Sequence, residues 1–184
     1  MISPLLALFG AYCFPESLVN GMFASAPFKL NPYFSLCMAM TLCYVPFGFI
    51  LIVKMSGGMP DNIYPREGTA ELAKDNKFVA RCQACHDHML EGYPFFAAGT
   101  LAALAAGVDI QTIASYCSAW IILRSIYIIT YVFNSGSTAV SLVRTMSFAC
   151  CMCMQGKLFY MAALQTNGFL LIQDGMKSGG KPEL

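Results

Sequence analysis

Apolar and polar positions divide most of the chain into four long apolar runs separated by polar breaks. The first break, residues 56–80, is long, whereas the later breaks span only a few residues. An apolar run of about 20 residues is long enough to cross the hydrocarbon core of a bilayer as a helix. The pattern therefore predicts four membrane-spanning helices, at about residues 33–55, 81–108, 110–133 and 138–164.

Helix-breaking and capping residues refine these boundaries. Pro46-Phe-Gly48 predicts a kink inside the first span, of the kind that neighbouring membrane helices tolerate. Residues 69–78 suit a short surface helix within the polar break. Asp109 is positioned to cap the third span, and residues 134–137 form a tight turn. Residues 166–172 extend the fourth span in this prediction.

Three regions follow from this pattern. Residues 1–32 are an apolar N-terminal extension that four prolines interrupt, and its longest uninterrupted piece is too short to span a bilayer. Residues 33–173 form the membrane domain, with the polar loop at 56–80. Residues 174–184 are a polar, glycine-containing tail.

Composition supports a membrane class. The chain is 57% hydrophobic and 11% charged, whereas soluble domains carry roughly 25% charged residues. So few charges cannot cover the surface of a soluble fold of this size, so a lipid bilayer is the expected partner. The net charge is only +1 and the basic residues form no stripe, which argues against nucleic acid as a partner. The fold class predicted is all-α, a transmembrane four-helix bundle.

The distribution of basic residues predicts the orientation of the bundle. Five of the eleven basic residues lie in or beside the first loop: Lys54, Arg66, Lys74, Lys77 and Arg81. The positive-inside rule then places this loop on the cytoplasm-like side, with both termini opposite. Four spans require the termini to share a side, which agrees with this assignment.

Two motifs stand in a fixed order along the chain. The first combines Asp61-Asn-Ile-Tyr-Pro65-Arg66 with Arg81-Cys-Gln-Ala84-Cys-His86-Asp-His88-Met-Leu-Glu91-Gly-Tyr-Pro94-Phe-Phe. The second is Arg124-Ser-Ile-Tyr127-Ile-Ile-Thr-Tyr131. Together these motifs resemble the MAPEG family, the membrane-associated proteins in eicosanoid and glutathione metabolism. With the loop lengths, the resemblance covers residues 33–165 and is closest to the short bacterial-type members.

The resemblance implies a left-handed four-helix bundle that assembles as a trimer and holds glutathione between subunits near the loop side. On one helix, positions i, i+3 and i+7 share a face, so Arg124, Tyr127 and Tyr131 are expected to act together. An arginine there suits a ligand carboxylate, and ionisable groups within a membrane are functional candidates. The residues of the predicted glutathione-like site are Arg81, His88, Glu91, Arg124, Tyr127 and Tyr131.

The chain departs from the family pattern at several ligand positions. The family signature on the second helix is Arg-x3-Asn-x2-Glu, and these positions hold Ala84, His88 and Glu91. Thiol-activating members also carry an arginine shortly after the second tyrosine, whereas no basic residue lies between Tyr131 and Arg144. Because a thiolate needs a positive neighbour, these departures favour a non-catalytic protein. Glu91 pairing with Arg124 is the structural alternative to ligand binding.

A second motif overlaps the first on the second helix. Cys82-Gln-Ala-Cys85-His86 has the spacing of a covalent c-type haem attachment, in which His86 is an axial ligand. Alternatively, Cys82, Cys85, His86 and His88 supply ligand types that zinc accepts. The nine cysteines follow no regular spacing and mostly lie in apolar runs, so they do not predict a disulfide framework.

Three functions follow as alternatives. The favoured one is a MAPEG-like protein with a degenerate glutathione site, retained as a structural or accessory subunit of a larger complex, such as a mitochondrial respiratory-type assembly. The second is a glutathione-dependent transferase or peroxidase. The third is a haem- or metal-binding membrane subunit. The expected partners are other membrane subunits or two further copies of the chain, in the mitochondrial inner membrane or an endomembrane.

Overall fold

The described part of the chain is helical throughout, apart from its turns. A computed structural model describes residue 21 and residues 29–57, 63–134 and 136–166. Most of the N-terminal extension, Asp61 and the polar tail lie outside these residues. Five helices follow one another within the described part: α1 (Pro32–Ser56), α2 (Pro65–Asp75), α3 (Lys77–Ala105), α4 (Ile110–Val132) and α5 (Thr138–Gln165).

The four long helices form the bundle. α1 packs against α3 and α4, and α5 packs against the same two helices. α3 and α4 also touch each other, so they form the short diagonal of the bundle, while α2 packs on α3. The prediction of an all-α transmembrane four-helix bundle is confirmed.

Three helices in the described part are long and apolar enough to cross a membrane: α1, α4 and α5. α3 is long enough as well, since its 29 residues extend about 43 Å at 1.5 Å per residue. Its first half, however, carries Arg81, Asp87 and Glu91. α3, which carries three of the six predicted ligand residues, is therefore the most polar of the four long helices.

Polar side chains cap the helix starts as their backbone N–H groups require. Asn31 accepts from the Tyr33 N–H at 2.9 Å, and Asp109 accepts from the Thr112 N–H at 2.8 Å. The bonds from Thr112 stabilise the ionised carboxylate, so they lower the pKa of Asp109 below its usual 3.8. The predicted cap at Asp109 is confirmed.

The predicted boundaries around the polar break needed correction. The surface helix begins at Pro65 and ends at Asp75, and α3 begins at Lys77, earlier than the predicted start at Arg81. Asn76 causes the break, because its side chain accepts from the backbone N–H groups of Phe78 and Val79. Proline at the first helical position of α2 loses no hydrogen bond, which explains the earlier start.

Gly99 lets α3 and α5 approach closely. A Cβ atom there would lie 3.3 Å from the Gln155 carbonyl oxygen and 3.3 Å from a Phe159 ring carbon. Small residues at such crossings let membrane helices gain packing contacts that a larger side chain would prevent. Gly48 in α1, in contrast, has no heavy atom within 4 Å of the Cβ position.

We predict that Gly99→Val destabilises the bundle and that Gly48→Val does not. The added methyl groups at position 99 force α3 and α5 apart, at a cost of about 1–3 kcal/mol. Thermal melting of the detergent-solubilised protein, followed by circular dichroism, measures the difference. Because both variants replace glycine by the same residue inside a long helix, equal melting temperatures would contradict the assigned α3–α5 contact.

Candidate functional site

Arg124 lies in the centre of the bundle. It is fully buried, with 0% of its side chain exposed. Its guanidinium carbon lies 5.2 Å from the centroid of the Trp120 ring, 5.4 Å from that of Tyr127 and 5.3 Å from that of Phe148. Within the described residues, none of its three side-chain nitrogens has a hydrogen-bond partner.

Gly92 on α3 makes room for this guanidinium. A Cβ atom at position 92 would lie 2.5 Å from Arg124 Nη2, closer than any real Cβ contact. The Gly92 carbonyl accepts a hydrogen bond from Gln155 Nε2 at 3.1 Å, which brings α5 to the same point. Three helices therefore meet around the buried charge.

The predicted pairing of Glu91 with Arg124 is wrong. Glu91 is exposed on the surface of α3, while Arg124 is buried without a partner among the described residues. Successive residues of a helix point about 100° apart. Since Gly92 faces Arg124, the side chain of Glu91 points away from it.

A second group of side chains lies nearer the polar loop, and we call it the loop-end cluster. It consists of His88 from α3, Tyr127 and Tyr131 from α4, and Arg144 and Phe148 from α5. His88 Nδ1 is hydrogen-bonded to the Tyr127 hydroxyl at 2.8 Å. The His88 ring also lies edge-to-face with Tyr131, with 5.9 Å between centroids. His88 is exposed and Tyr131 is half-buried, so the cluster opens to the outside of the bundle.

Arg144 supplies a cation that the sequence pattern did not assign to the site. Its guanidinium carbon lies 4.7 Å from the centroid of the Tyr131 ring. Side chains of a helix tilt towards its N-terminus, so Arg144 points back along α5 to the end of α4 where Tyr131 lies. The sequence feature that points to this contact is the tight turn at residues 134–137. It makes α5 antiparallel to α4, so the start of α5 lies beside the end of α4.

The six predicted ligand residues lie in five different environments. Arg124 is interior, and Tyr127 lies between Arg124 and His88. Tyr131 and His88 belong to the loop-end cluster. Glu91 is exposed near it, since positions 88 and 91 share a helix face. Arg81 instead caps α4, because its Nε donates to the Val132 carbonyl at 3.1 Å.

The residues of the predicted haem or zinc site do not converge. Cys82 and Cys85 are fully buried against α1, and His86 binds the Cys43 carbonyl through Nδ1 at 2.7 Å. His88 points to another face, because residues two apart on a helix diverge by about 200°. No group of three or more His, Cys, Asp or Glu residues in the described part could hold a metal ion. Within the described residues these side chains therefore do not form a metal site, and covalent haem, which the burial of both thiols does not favour, stays a prediction.

His86 has a structural role beside Pro46, the proline inside α1. Pro46 has no N–H for the Leu42 carbonyl, and its ring also disturbs the next hydrogen bond of the helix. The next carbonyl, that of Cys43, takes its hydrogen bond from His86 across the helix interface. Since a carbonyl only accepts, Nδ1 carries the proton. The histidine of the Cys-x2-Cys-His motif is thus satisfied by the protein itself.

We predict that thiol labelling of the folded protein follows the burial of the cysteines. N-ethylmaleimide should modify Cys37, which is exposed, and spare Cys82 and Cys85 until the protein is unfolded. Peptide mass spectrometry of the labelled protein in detergent identifies the sites. Rapid native-state labelling of both Cys82 and Cys85 would contradict their packing against α1 and reopen the haem hypothesis.

Comparison with known proteins agrees with the predicted fold. The family model described as the MAPEG family matches residues 34–164, which is most of the chain. No curated protein and no solved structure matches. The closer assignment to the bacterial-type branch stays a prediction. The extent of the family match shows that this chain belongs to the MAPEG family.

Proposed function

We propose that this membrane protein binds a glutathione-type thiol at the loop-end cluster and activates it as a thiolate. The thiolate then forms a thioether with an apolar electrophile and displaces its leaving group, such as chloride. Alternatively, it attacks a hydroperoxide and releases the alcohol, and a second glutathione converts the resulting sulfenic acid to the disulfide and water. The protein is then a glutathione-dependent transferase or peroxidase. The single observation that carries this proposal is the position of the Arg144 guanidinium, 4.7 Å from the Tyr131 ring centroid.

Arg144 places a positive charge in the loop-end cluster. The sequence pattern had argued against catalysis because no such charge follows Tyr131 closely along the chain. Near neutral pH, a thiol with an ordinary pKa of about 8.5 is mostly protonated. A nearby guanidinium lowers the free energy of the thiolate relative to the thiol, and hydrogen-bond donors add to this effect. Arg144 offers the charge, and the Tyr131 hydroxyl is a donor on the same cluster.

The remaining groups of the cluster suit the other ends of a peptide ligand. His88 is exposed and oriented by Tyr127, so its second ring nitrogen is available for a hydrogen bond. The exposed carboxylate of Glu91 suits the ammonium group of a γ-glutamyl residue. Phe148 contributes an apolar wall, since its ring lies 6.5 Å from that of His88. An apolar second substrate would reach this wall from the bilayer.

We expect Arg144→Gln to weaken glutathione binding at least tenfold and to abolish conjugation of a chlorinated nitrobenzene. The change removes the charge that stabilises the thiolate, and tenfold corresponds to about 1.4 kcal/mol. Isothermal titration calorimetry measures binding, and absorbance of the conjugate measures turnover. Arg66→Gln is the matched control, because Arg66 is exposed on α2, outside the cluster.

The proposal fails if wild-type protein gives no binding heat at millimolar glutathione and no conjugation. It also fails if Arg144→Gln and Arg66→Gln have equal effects. If wild-type protein binds glutathione but gives no conjugation, the ligand site is supported and the enzymatic step is contradicted.

A structural or accessory subunit is the second candidate. Ala84 supports it, because this position on α3 lies one turn before His88 and offers no charge to a ligand carboxylate. A protein of this kind would rely on its apolar faces to join a larger membrane assembly, and the mitochondrial inner membrane or an endomembrane remains the predicted location.

For this second candidate we expect co-migration with a large complex when membranes are solubilised in mild detergent. Native electrophoresis of the endogenous protein, followed by mass spectrometry of the band, makes the measurement. A free homotrimer would contradict the accessory role and would agree with the oligomer that the family resemblance implies.

A further inference from the structure

The bundle interior contains three buried polar side chains with atoms that have no partner in the described part of the chain. Arg124 is 0% exposed and leaves Nε, Nη1 and Nη2 unpaired. Trp120 is 0% exposed and leaves Nε1 unpaired, and Gln155 is 2% exposed and leaves Oε1 unpaired. Buried polar atoms in folded proteins are nearly always hydrogen-bonded, so this group requires an acceptor that the described residues do not supply.

Donors dominate this group. The guanidinium of Arg124 and the indole N–H of Trp120 only donate, and the guanidinium is always charged. The two side chains are neighbours, since the guanidinium carbon lies 5.2 Å from the Trp120 ring centroid. Gln155 Oε1 is the acceptor of the group, and a single water molecule would satisfy it. A ligand that pairs with these donors therefore has to accept hydrogen bonds and carry negative charge.

The aromatic rings do not replace a counter-charge. Trp120, Tyr127 and Phe148 each present a ring to the guanidinium at 5.2–5.4 Å. Such cation–π contacts recover only part of the free energy that a charge loses when it leaves water. No described carboxylate is bonded to Arg124, and the nearby Glu91 is exposed on the outside of α3.

Packing limits the size of the ligand. The side of the guanidinium that faces α3 is filled by Gly92, where even a Cβ atom would lie 2.5 Å from Nη2. Tyr127 and Phe148 form the inner side of the loop-end cluster, and their rings lie between Arg124 and the exposed His88. A peptide carboxylate bound at the exposed groups of that cluster therefore does not reach the guanidinium, and a ligand of the guanidinium has to be small.

We propose that Arg124 and Trp120 bind one small monovalent anion of the halide class inside the bundle. This site is independent of the thiol site proposed above, because it is made of different residues and is closed to the outside. The two sites share a wall at Tyr127, which contacts Arg124 with its ring and His88 with its hydroxyl. Occupancy of the inner site would hold this wall in place.

The chain carries its own probe for this site, because Trp120 is its single tryptophan. Detergent-solubilised protein would be titrated with sodium iodide against sodium gluconate at a constant ionic strength of about 0.15 M, so that screening does not change. An iodide bound beside the indole quenches its emission through the heavy-atom effect. We expect saturable quenching in the wild-type protein, with chloride shifting the midpoint to higher iodide concentration.

Two controls separate binding from collision. Arg124→Met should abolish the saturable component, while Arg66→Gln, which removes an exposed charge on α2, should leave it unchanged. Acrylamide, a neutral quencher, should have little effect in the wild-type protein, because Trp120 is buried. Arg124→Lys, which keeps the charge with fewer donors, should retain weaker quenching if the methionine variant does not fold.

A second measurement uses only the wild-type protein. An anion that binds the folded state alone raises the melting temperature, so the protein should melt higher in chloride than in gluconate. Quenching that is linear in iodide and unaffected by chloride, together with equal melting temperatures in the two salts, would overturn the proposal. Failure of glutathione binding in calorimetry would leave this result unaffected.

Discussion

The packing of Arg124 constrains the whole bundle. A fully buried guanidinium brings α3, α4 and α5 to one point, where only glycine fits at position 92 and Gln155 bonds to the same backbone. Burying an unpaired charge costs several kcal/mol. A methionine or leucine at position 124 would avoid this cost, so the buried charge indicates a role in specificity or binding.

Tyr127 transmits this constraint to the site. Its ring faces Arg124, and its hydroxyl holds His88 at 2.8 Å, so the buried charge and the exposed histidine share one rigid aromatic side chain. Tyr131, one helical turn further, is half-buried and carries Arg144 over its ring. Along α4, the side chains therefore pass from the closed polar interior at Arg124 to the open cationic cluster at Tyr131.

Much of the fold, but less of the site, could be predicted from the sequence. The apolar runs predicted the four long helices, because the length and hydropathy of each run can be read directly from the local sequence. The break at Asn76 was missed, since one capping side chain outweighed the pattern around it. The shared face of Arg124, Tyr127 and Tyr131 followed from helical spacing. The tight turn between α4 and α5 indicated that the start of α5 returns beside Tyr131, but the contact of Arg144 with that ring and the isolation of Glu91 depend on packing between helices and could not be predicted.

The central claim is that the loop-end cluster stabilises a thiolate. The most direct measurement is the ultraviolet thiolate absorbance of glutathione on binding to the detergent-solubilised protein, with S-methylglutathione as the reference ligand. A thiolate band at neutral pH, which disappears as the pH falls well below the ordinary pKa of a free thiol, is the predicted result. Glutathione that binds yet shows the band only near that ordinary pKa, about 8.5, would contradict the claim.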